Sequence, residues 1–186
     1  MPTTFIWDEL DSFKSIVTMT EAAGSKNEQK RKEVEDILED ILVMAYLEGI
    51  SDAEFLLGVP ITANTDRMQE AVYKKIAGKV FRQRVSEYVT AGTVEDIQRV
   101  AETDATRIYN TAVMDAGKQS GISGLKKQWV AIEDERTRDT HSYLDGTIVG
   151  INDDFYSYSG DHAPYPGAFE TAEENCNCRC VISLIR

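Results

Sequence analysis

Cysteine is almost missing from this chain. Its three cysteines, Cys176, Cys178 and Cys180, crowd into the closing ENCNCRC. An odd number of thiols within five positions cannot staple distant parts of a fold, so a disulfide framework is excluded and a reducing cytoplasm is the expected environment. Long apolar runs are missing too. None approaches the roughly 20 residues of a bilayer-spanning helix, and the opening MPTTFIWDELDSFK has no basic stretch before an apolar core. Neither a membrane span nor a signal peptide is expected. Basic charge is in deficit: 20 Lys and Arg face 32 Asp and Glu, a formal net charge of −12. Such a surface repels phosphate on average and argues against nonspecific DNA binding. There is no glycine-rich phosphate loop, no nucleophile elbow, no internal repeat and no low-complexity segment.

What is present suffices for a buried core, with 42% hydrophobic residues in a chain of 186. Residues 1–118 carry repeated helix signals and almost no strand signal. After a first helix expected over 4–18, Asn27 caps a second whose Val34, Ile37, Leu38, Ile41, Leu42 and Ala45 recur at threes and fours, with Gly49 as its stop. Ser51 and Glu54 match the capping box of a short helix ending at Gly58. Pro60 keeps the next connection extended, as a loop to about Thr65. One helix is expected from Asp66 to Thr90, weakened at Gly78 and ended by Gly92. Thr93 and Asp96 cap another that runs to Gly117.

Beyond Gly121 and Gly124 the pattern changes. Trp129 to Ile132 reads as a short buried strand, Asp145-Gly146 as a turn, Thr147 to Ile151 as a second strand and VISLI as the last. The intervening NDDFYSYSGDHAPYPGAFETAEEN reads as an irregular loop pinned by its rings. Its Asn152, Asp153 and Asp154 lack the glycine and distal glutamate of a calcium loop and read as a solvated turn. The fold class is therefore α+β: a mainly α-helical region over 1–118, then a small mixed module over 125–186 with short strands and a long irregular loop.

Four polar residues gather at the start of that module: Asp134, Arg136, Arg138 and His141. On one short helix Arg138 and His141 share a face, and Asp134 at its start can cap it and pair with Arg138. As chemistry, Asp134, Arg138 and His141 offer a carboxylate, a fixed cation and a group titrating near neutrality, the set a nuclease or transferase would use. As structure, Asp134 caps, the arginines pair with acids and His141 donates to a backbone carbonyl. The structural reading is the simpler one. From Glu133 to Asn175 eleven acids surround only two arginines, Arg136 and Arg138, which are expected to be claimed as struts.

The cysteines divide similarly. On an extended segment Cys176, Cys178 and Cys180 project to one face and could hold zinc with His141 or His162, although C-x-C spacing differs from the C-x-x-C turns zinc sites commonly use. Disulfides between alternate residues would be strained, and Arg179 is the one cation nearby to activate a thiol. The remaining reading is that of small thiols packed beneath the loop, with no cofactor.

The order of short motifs is more specific than any one of them. KKQWVAIEDERTRDTHSYLDG, then a turn-rich loop, then AEENCNCRC closely resembles the Mu F-like family of phage minor head proteins, or head morphogenesis proteins. The family pattern falls on Trp129, Asp134, Arg136 with Arg138, His141, Asp145 with Gly146, Phe155, Pro166 with Gly167, and Asn177, Cys178, Arg179 and Cys180. RVAETDATRIYNTAVMDAG resembles the preceding helix, so the likeness covers about residues 66 to 186. It implies a structural, non-enzymatic protein of the virion interior, in the host cytoplasm during assembly. Its implied partners are the phage portal protein, with the scaffolding or major capsid protein and packaged DNA as further contacts, and no membrane. The helical region would dock; Trp129 and Phe155 would form the module's core, and the ionic cluster would lock it to the cysteine tail. Some members carry ADP-ribosyltransferases or nucleases after the module; with six residues following Cys180, none is expected here. The helical part is short for the family, and Cys176 is additional to its cysteine pattern.

Overall fold

A computed structural model describes residues 13–132 and 134–186, with side chains from Thr18 onward. The part of the expected first helix before residue 13 lies outside the described residues; α1 occupies Phe13–Ala22. The Asn27 carboxamide then accepts from the backbone N–H groups of Gln29 and Lys30 and starts α2, Glu28–Leu57. Gly49 does not stop it. The helix runs on through Ser51 and ends at Gly58, which takes φ 60° and closes the last turn on Glu54. Gly49 lies where α2 crosses a later helix: a Cβ there would stand 2.5 Å from the Tyr109 carbonyl oxygen and 2.8 Å from the Ala112 Cβ. The glycine is a point of close approach, which sequence periodicity cannot distinguish from a break.

The helix expected over Asp66–Thr90 is two helices, α3 Thr65–Val72 and α4 Phe81–Ala91. Between them Ile76 and Lys79 exchange backbone hydrogen bonds across Ala77 and Gly78, at φ 50° and 80°. Two left-handed residues in a two-residue turn reverse the chain and end helical geometry. The Thr93–Asp96 capping box opens α5, Val94–Gln119, as the sequence indicates. It passes Gly117, which faces Ile151 and Leu184, so this glycine too marks an approach, here of helix to sheet.

The C-terminal part is built on an antiparallel sheet of order β2-β1-β5, with β1 Lys126–Val130, β2 Ile148–Gly150 and β5 Val181–Ile185. Trp129 pairs with Ile182 and Lys127 with Leu184. The remaining short elements are α6 Asp139–Leu144, β3 Phe155–Tyr156, β4 His162–Ala163 and α7 Ala172–Asn175. The loop expected to be wholly irregular thus contains a two-residue hairpin, Phe155 with Ala163 and Tyr156 with His162, and one helical turn. Strand β1 starts three residues before the expected Trp129. Its inward positions are Lys127 and Trp129, and a lysine on the buried face conceals the alternation.

One contiguous apolar core runs from Met19 through the helices to Leu184 in the last strand. Charge pairs tie its edges. Arg82 on α4 meets Glu35, Asp36 and Glu39 on α2. The buried Asp104 of α5 accepts from Arg84 at 2.6 and 2.9 Å and from Arg107 at 2.9 Å. No helix among the described residues is long and apolar enough to cross a membrane.

Lys127 is fully buried, its Nζ donating to the Ile151 carbonyl at 3.1 Å and lying 5.4 Å over the Phe155 ring. Burial disfavours its charged form and pushes it down to about 8, against the opposing pull of Asp154.

Two outcomes follow from this packing. Gly49→Ala, which helix propensity alone would favour by ~1 kcal/mol, should instead lower stability in urea unfolding by about 1–3 kcal/mol through overpacking at Tyr109 and Ala112. The second concerns Lys127. The unfolded chain keeps the lysine proton up to its ordinary 10.5, whereas the folded chain gives it up near 8, so stability rises with pH across that window. The stability difference between wild type and Lys127→Met should therefore move in favour of wild type by roughly 2–3 kcal/mol between pH 7 and 10.5. A pH-independent difference would show that the ammonium is not desolvated.

Candidate functional site

The residues singled out in sequence do converge, on the seam between α6, the cysteine tail and β1, but with other pairings than expected. Asp134 does not cap a helix. Its carboxylate accepts from the Arg136 backbone N–H at 3.0 Å and the Thr137 hydroxyl at 3.3 Å, the local turn that aspartate favours, and Thr137 in turn bonds the Ile132 carbonyl. Helix α6 begins only at Asp139, with Arg138 as its extended N-cap residue. Arg138 therefore lies before the helix, and its guanidinium goes to the Cys176 carbonyl instead of Asp134. The cation on Asp134 is Arg179, whose Nη2 stands 2.7 Å from both carboxylate oxygens. That bond, chiefly, holds Asp134 below the usual carboxylate range. Arg136 remains largely exposed, 3.6 Å from Glu102. Asp145 caps the end of α6 and accepts from the Ala131 N–H at 2.7 Å, while Gly146 turns at φ 74° and donates to the Trp129 carbonyl.

His141 is buried and bonds no backbone carbonyl. Its Nδ1 lies 3.6 Å from the Cys178 sulfur and 3.5 Å from the Cys180 sulfur. Its Nε2 is 3.1 Å from Glu174 Oε2, an ion-pair distance off the line of a ring N–H hydrogen bond. Trp129 meets the imidazole edge-on at 5.4 Å and Phe169 stacks on it at 5.9 Å, while Trp129 also packs edge-on with Phe155 at 5.2 Å. These rings form the core the sequence assigns to Trp129 and Phe155.

The three sulfurs do not share a face. Helix α7 ends at Cys176 and Asn177 takes φ 57°, so the segment is kinked where an extended one was expected; Cys176 is exposed while Cys178 and Cys180 are buried. Asparagine tolerates that conformation, and the Asn177 N–H is met by the Thr103 hydroxyl. The two inner sulfurs differ in acidity. A hydrogen bond from Cys178 and the proximity of His141 draw Cys180 below the ordinary thiol range against its burial, and Cys178, sharing that bond, is pushed up. His162 is elsewhere, exposed on β4 and 2.8 Å from Asp154.

Two participants carry no local sequence signal. Glu174 is buried beside His141, its oxygens accepting from Thr140 at 2.9 Å, Ser159 at 2.8 Å and Ser157 at 3.3 Å. Burial pushes its acidity one way, and the hydroxyls and His141 outweigh it to hold the carboxyl below its ordinary value. Asn110, fully buried on α5, donates to the carbonyls of Thr106, Pro166 and Cys180 at 3.0, 3.2 and 3.0 Å and accepts from the Ile182 N–H at 2.9 Å. It stitches the helix to the tail at the point where Cys180 enters β5.

Chemically the knot is closed. The space beside His141, Cys178 and Cys180 amounts to about 10 Å³, room for one water and not for a substrate. The larger groove alongside, about 630 Å³, is lined by Arg138 but also by Asp139, Asp161, Glu170, Glu173 and Glu174, a wall of acids. Asp134, Arg138 and His141 thus do not converge on a common open space. His141, Cys178 and Cys180 are the residues placed to hold a metal: among the described residues theirs is the cluster whose ligand atoms all lie within 4.8 Å of one another. If Asn110 is the stitch, Asn110→Ala, which removes the side-chain partner of the Pro166 and Cys180 carbonyls and of the Ile182 N–H, should cost on the order of 3–5 kcal/mol in chemical unfolding. Near-wild-type stability would mean that packing alone holds the tail.

With this geometry in view the likeness to known proteins becomes specific. Over 86 residues, 46% of this chain, it is 34% identical to the Minor head protein GP7 of Bacillus phage SPP1, of which the match covers 28%. Over 94 residues, 49% of the chain, it is 35% identical to the NAD(+)--arginine ADP-ribosyltransferase EFV of Enterococcus faecalis (strain ATCC 700802 / V583), of which it covers 19%. The match therefore spans less than a third of either relative. No solved structure matches it. Residues 17–183 match the family described as Phage Mu protein F like protein, from the helices through to the last strand, and the chain belongs to that family.

Proposed function

We propose that this chain is a minor head protein of a phage virion that acts in head morphogenesis, binding the portal protein inside the procapsid and thereby affecting DNA packaging or ejection. Family membership over nearly the whole chain and the likeness to a minor head protein support the head role. The observation that carries the structural over the enzymatic reading is the closure of the knot. Arg179 takes Asp134, Arg138 is spent on a carbonyl, and His141 is buried among sulfur, carboxylate and aromatic rings. The transferase name of the other relative belongs to a protein of which the match covers 19%, and among the described residues the space beside His141 is about 10 Å³.

The outward feature suited to docking lies on the helices. Met44, Leu47 and Phe55 follow a spacing of threes and fours, through Ser51, along the outer side of α2, and Phe55 is 87% exposed. An apolar stripe opposite a helix's buried face is the arrangement that seats a helix against a partner protein. The portal protein is the partner the family role supplies. Scaffolding and major capsid proteins remain secondary contacts, and the net charge of −12 places protein binding ahead of DNA binding.

Co-expression with the portal protein of the same phage or prophage, followed by affinity purification, should recover a complex of defined stoichiometry. Phe55→Asp should reduce recovery at least tenfold, as loss of a buried aromatic anchor does, with an unchanged circular-dichroism spectrum. Failure of wild type to co-purify would overturn portal binding; full recovery with Phe55→Asp would move the interface off α2.

A further inference from the structure

We propose that His141, Cys178 and Cys180 bind one zinc ion, which clips helix α6 to the C-terminal tail. The three ligand atoms converge, are all buried and lie within 4.8 Å of one another. The two nitrogen-to-sulfur separations are those a tetrahedral ion imposes. With Zn–N of about 2.0–2.1 Å and Zn–S of about 2.3 Å, tetrahedral angles set N···S near 3.6 Å, and the structure has 3.6 Å to Cys178 and 3.5 Å to Cys180.

The surroundings fit the same reading. Glu174 stands 3.1 Å from the far ring nitrogen, Nε2, and is itself fixed by Thr140, Ser157 and Ser159. The negative charge of Glu174 beside Nε2 favours the tautomer protonated on that nitrogen and leaves the Nδ1 lone pair facing the sulfurs. A single Nδ1–H could not serve two sulfurs at nearly equal distance as well as a shared cation serves all three atoms. The C-x-C spacing is no obstacle, because the left-handed Asn177 and the entry into β5 aim both inner sulfurs at the histidine. The adjoining void of about 10 Å³ can hold the water that completes four-coordination but no substrate. In the bound state both sulfurs coordinate as thiolates, any thiol proton still held being released to solvent, so the net charge of the ion and its two sulfur ligands is zero. The role is structural, and it is independent of the portal reading.

The test uses the whole chain, expressed with zinc in the medium and purified without chelator. One equivalent of zinc per chain is expected by elemental analysis, and cobalt(II) in its place should give the intense ligand-field and sulfur-to-metal charge-transfer bands of a tetrahedral thiolate site. Cys178→Ser and Cys180→Ser should lose the ion; Cys176→Ser, changing the exposed thiol, should keep it. Glu174→Gln should weaken zinc roughly 10–100-fold in a competition titration, a readout that loss of a merely structural contact would not move. Wild-type protein that is folded, metal-free and gives no thiolate band with cobalt(II) overturns the site, even if the serine variants misfold. So does zinc that persists in Cys178→Ser and Cys180→Ser, or that leaves with Cys176→Ser.

Discussion

The Asn110 side chain holds the two halves of this molecule in register. A buried amide must satisfy both its donors and its acceptor, and here it does so only if α5, the Pro166 turn and the start of β5 arrive together. Because the Cys180 carbonyl is one of its acceptors, the amide also fixes where the sulfur ligands fall. The Trp129 core, the imidazole and the tail all inherit their positions from that bond set. Gly117, about two turns further along the same helix, lets Leu184 and Ile151 close against the helix, so the polar stitch and the apolar contact act along one line.

Much of this was legible in the residues, for a physical reason. Caps announce themselves locally, and Asn27, Thr93 and the Asp145-Gly146 turn stand where the sequence puts them. The closing strand is Val181–Ile185, and Trp129 with Phe155 is the expected ring pair. Glycine was misread in consistent ways. Gly49 and Gly117 look like helix ends in one dimension, but each removes a side chain where another element comes near, a fact that exists only in three dimensions. Gly78, only a weak spot in the helical pattern, is half of a left-handed turn that breaks the helix, with Ala77 as the unannounced other half.

At the candidate site, composition was legible and pairing was not. The sequence identifies Asp134, Arg138, His141 and the cysteines as one group, yet it assigns Asp134 to Arg138, its near neighbour, when Arg179 from the other end of the module takes it. Long-range partners of this kind leave no periodic trace. Glu174 and Asn110 were invisible for the same reason, since a single acid among eleven and a single amide on a helix carry no spacing signal until the fold surrounds them.

The placement of charge bears on what the molecule can do. Its basic side chains are few, and several of those nearest the core are paired inward: Arg82 with three acids, Arg84 and Arg107 with Asp104, Arg179 with Asp134. The Arg84 guanidinium, held bidentate by the buried Asp104, is neutralised locally. The α2–α5 seam is tied in the same inward manner, by Tyr46 to Asp115 at 3.0 Å and Tyr109 to Asp52 at 2.7 Å across the crossing that Gly49 permits. Leu47 and Phe55, by contrast, stay exposed on the outer side of α2. Around His141 the same inward packing holds: the rings of Trp129 and Phe169 pack on the imidazole, one edge-on and one stacked, and make it part of the core.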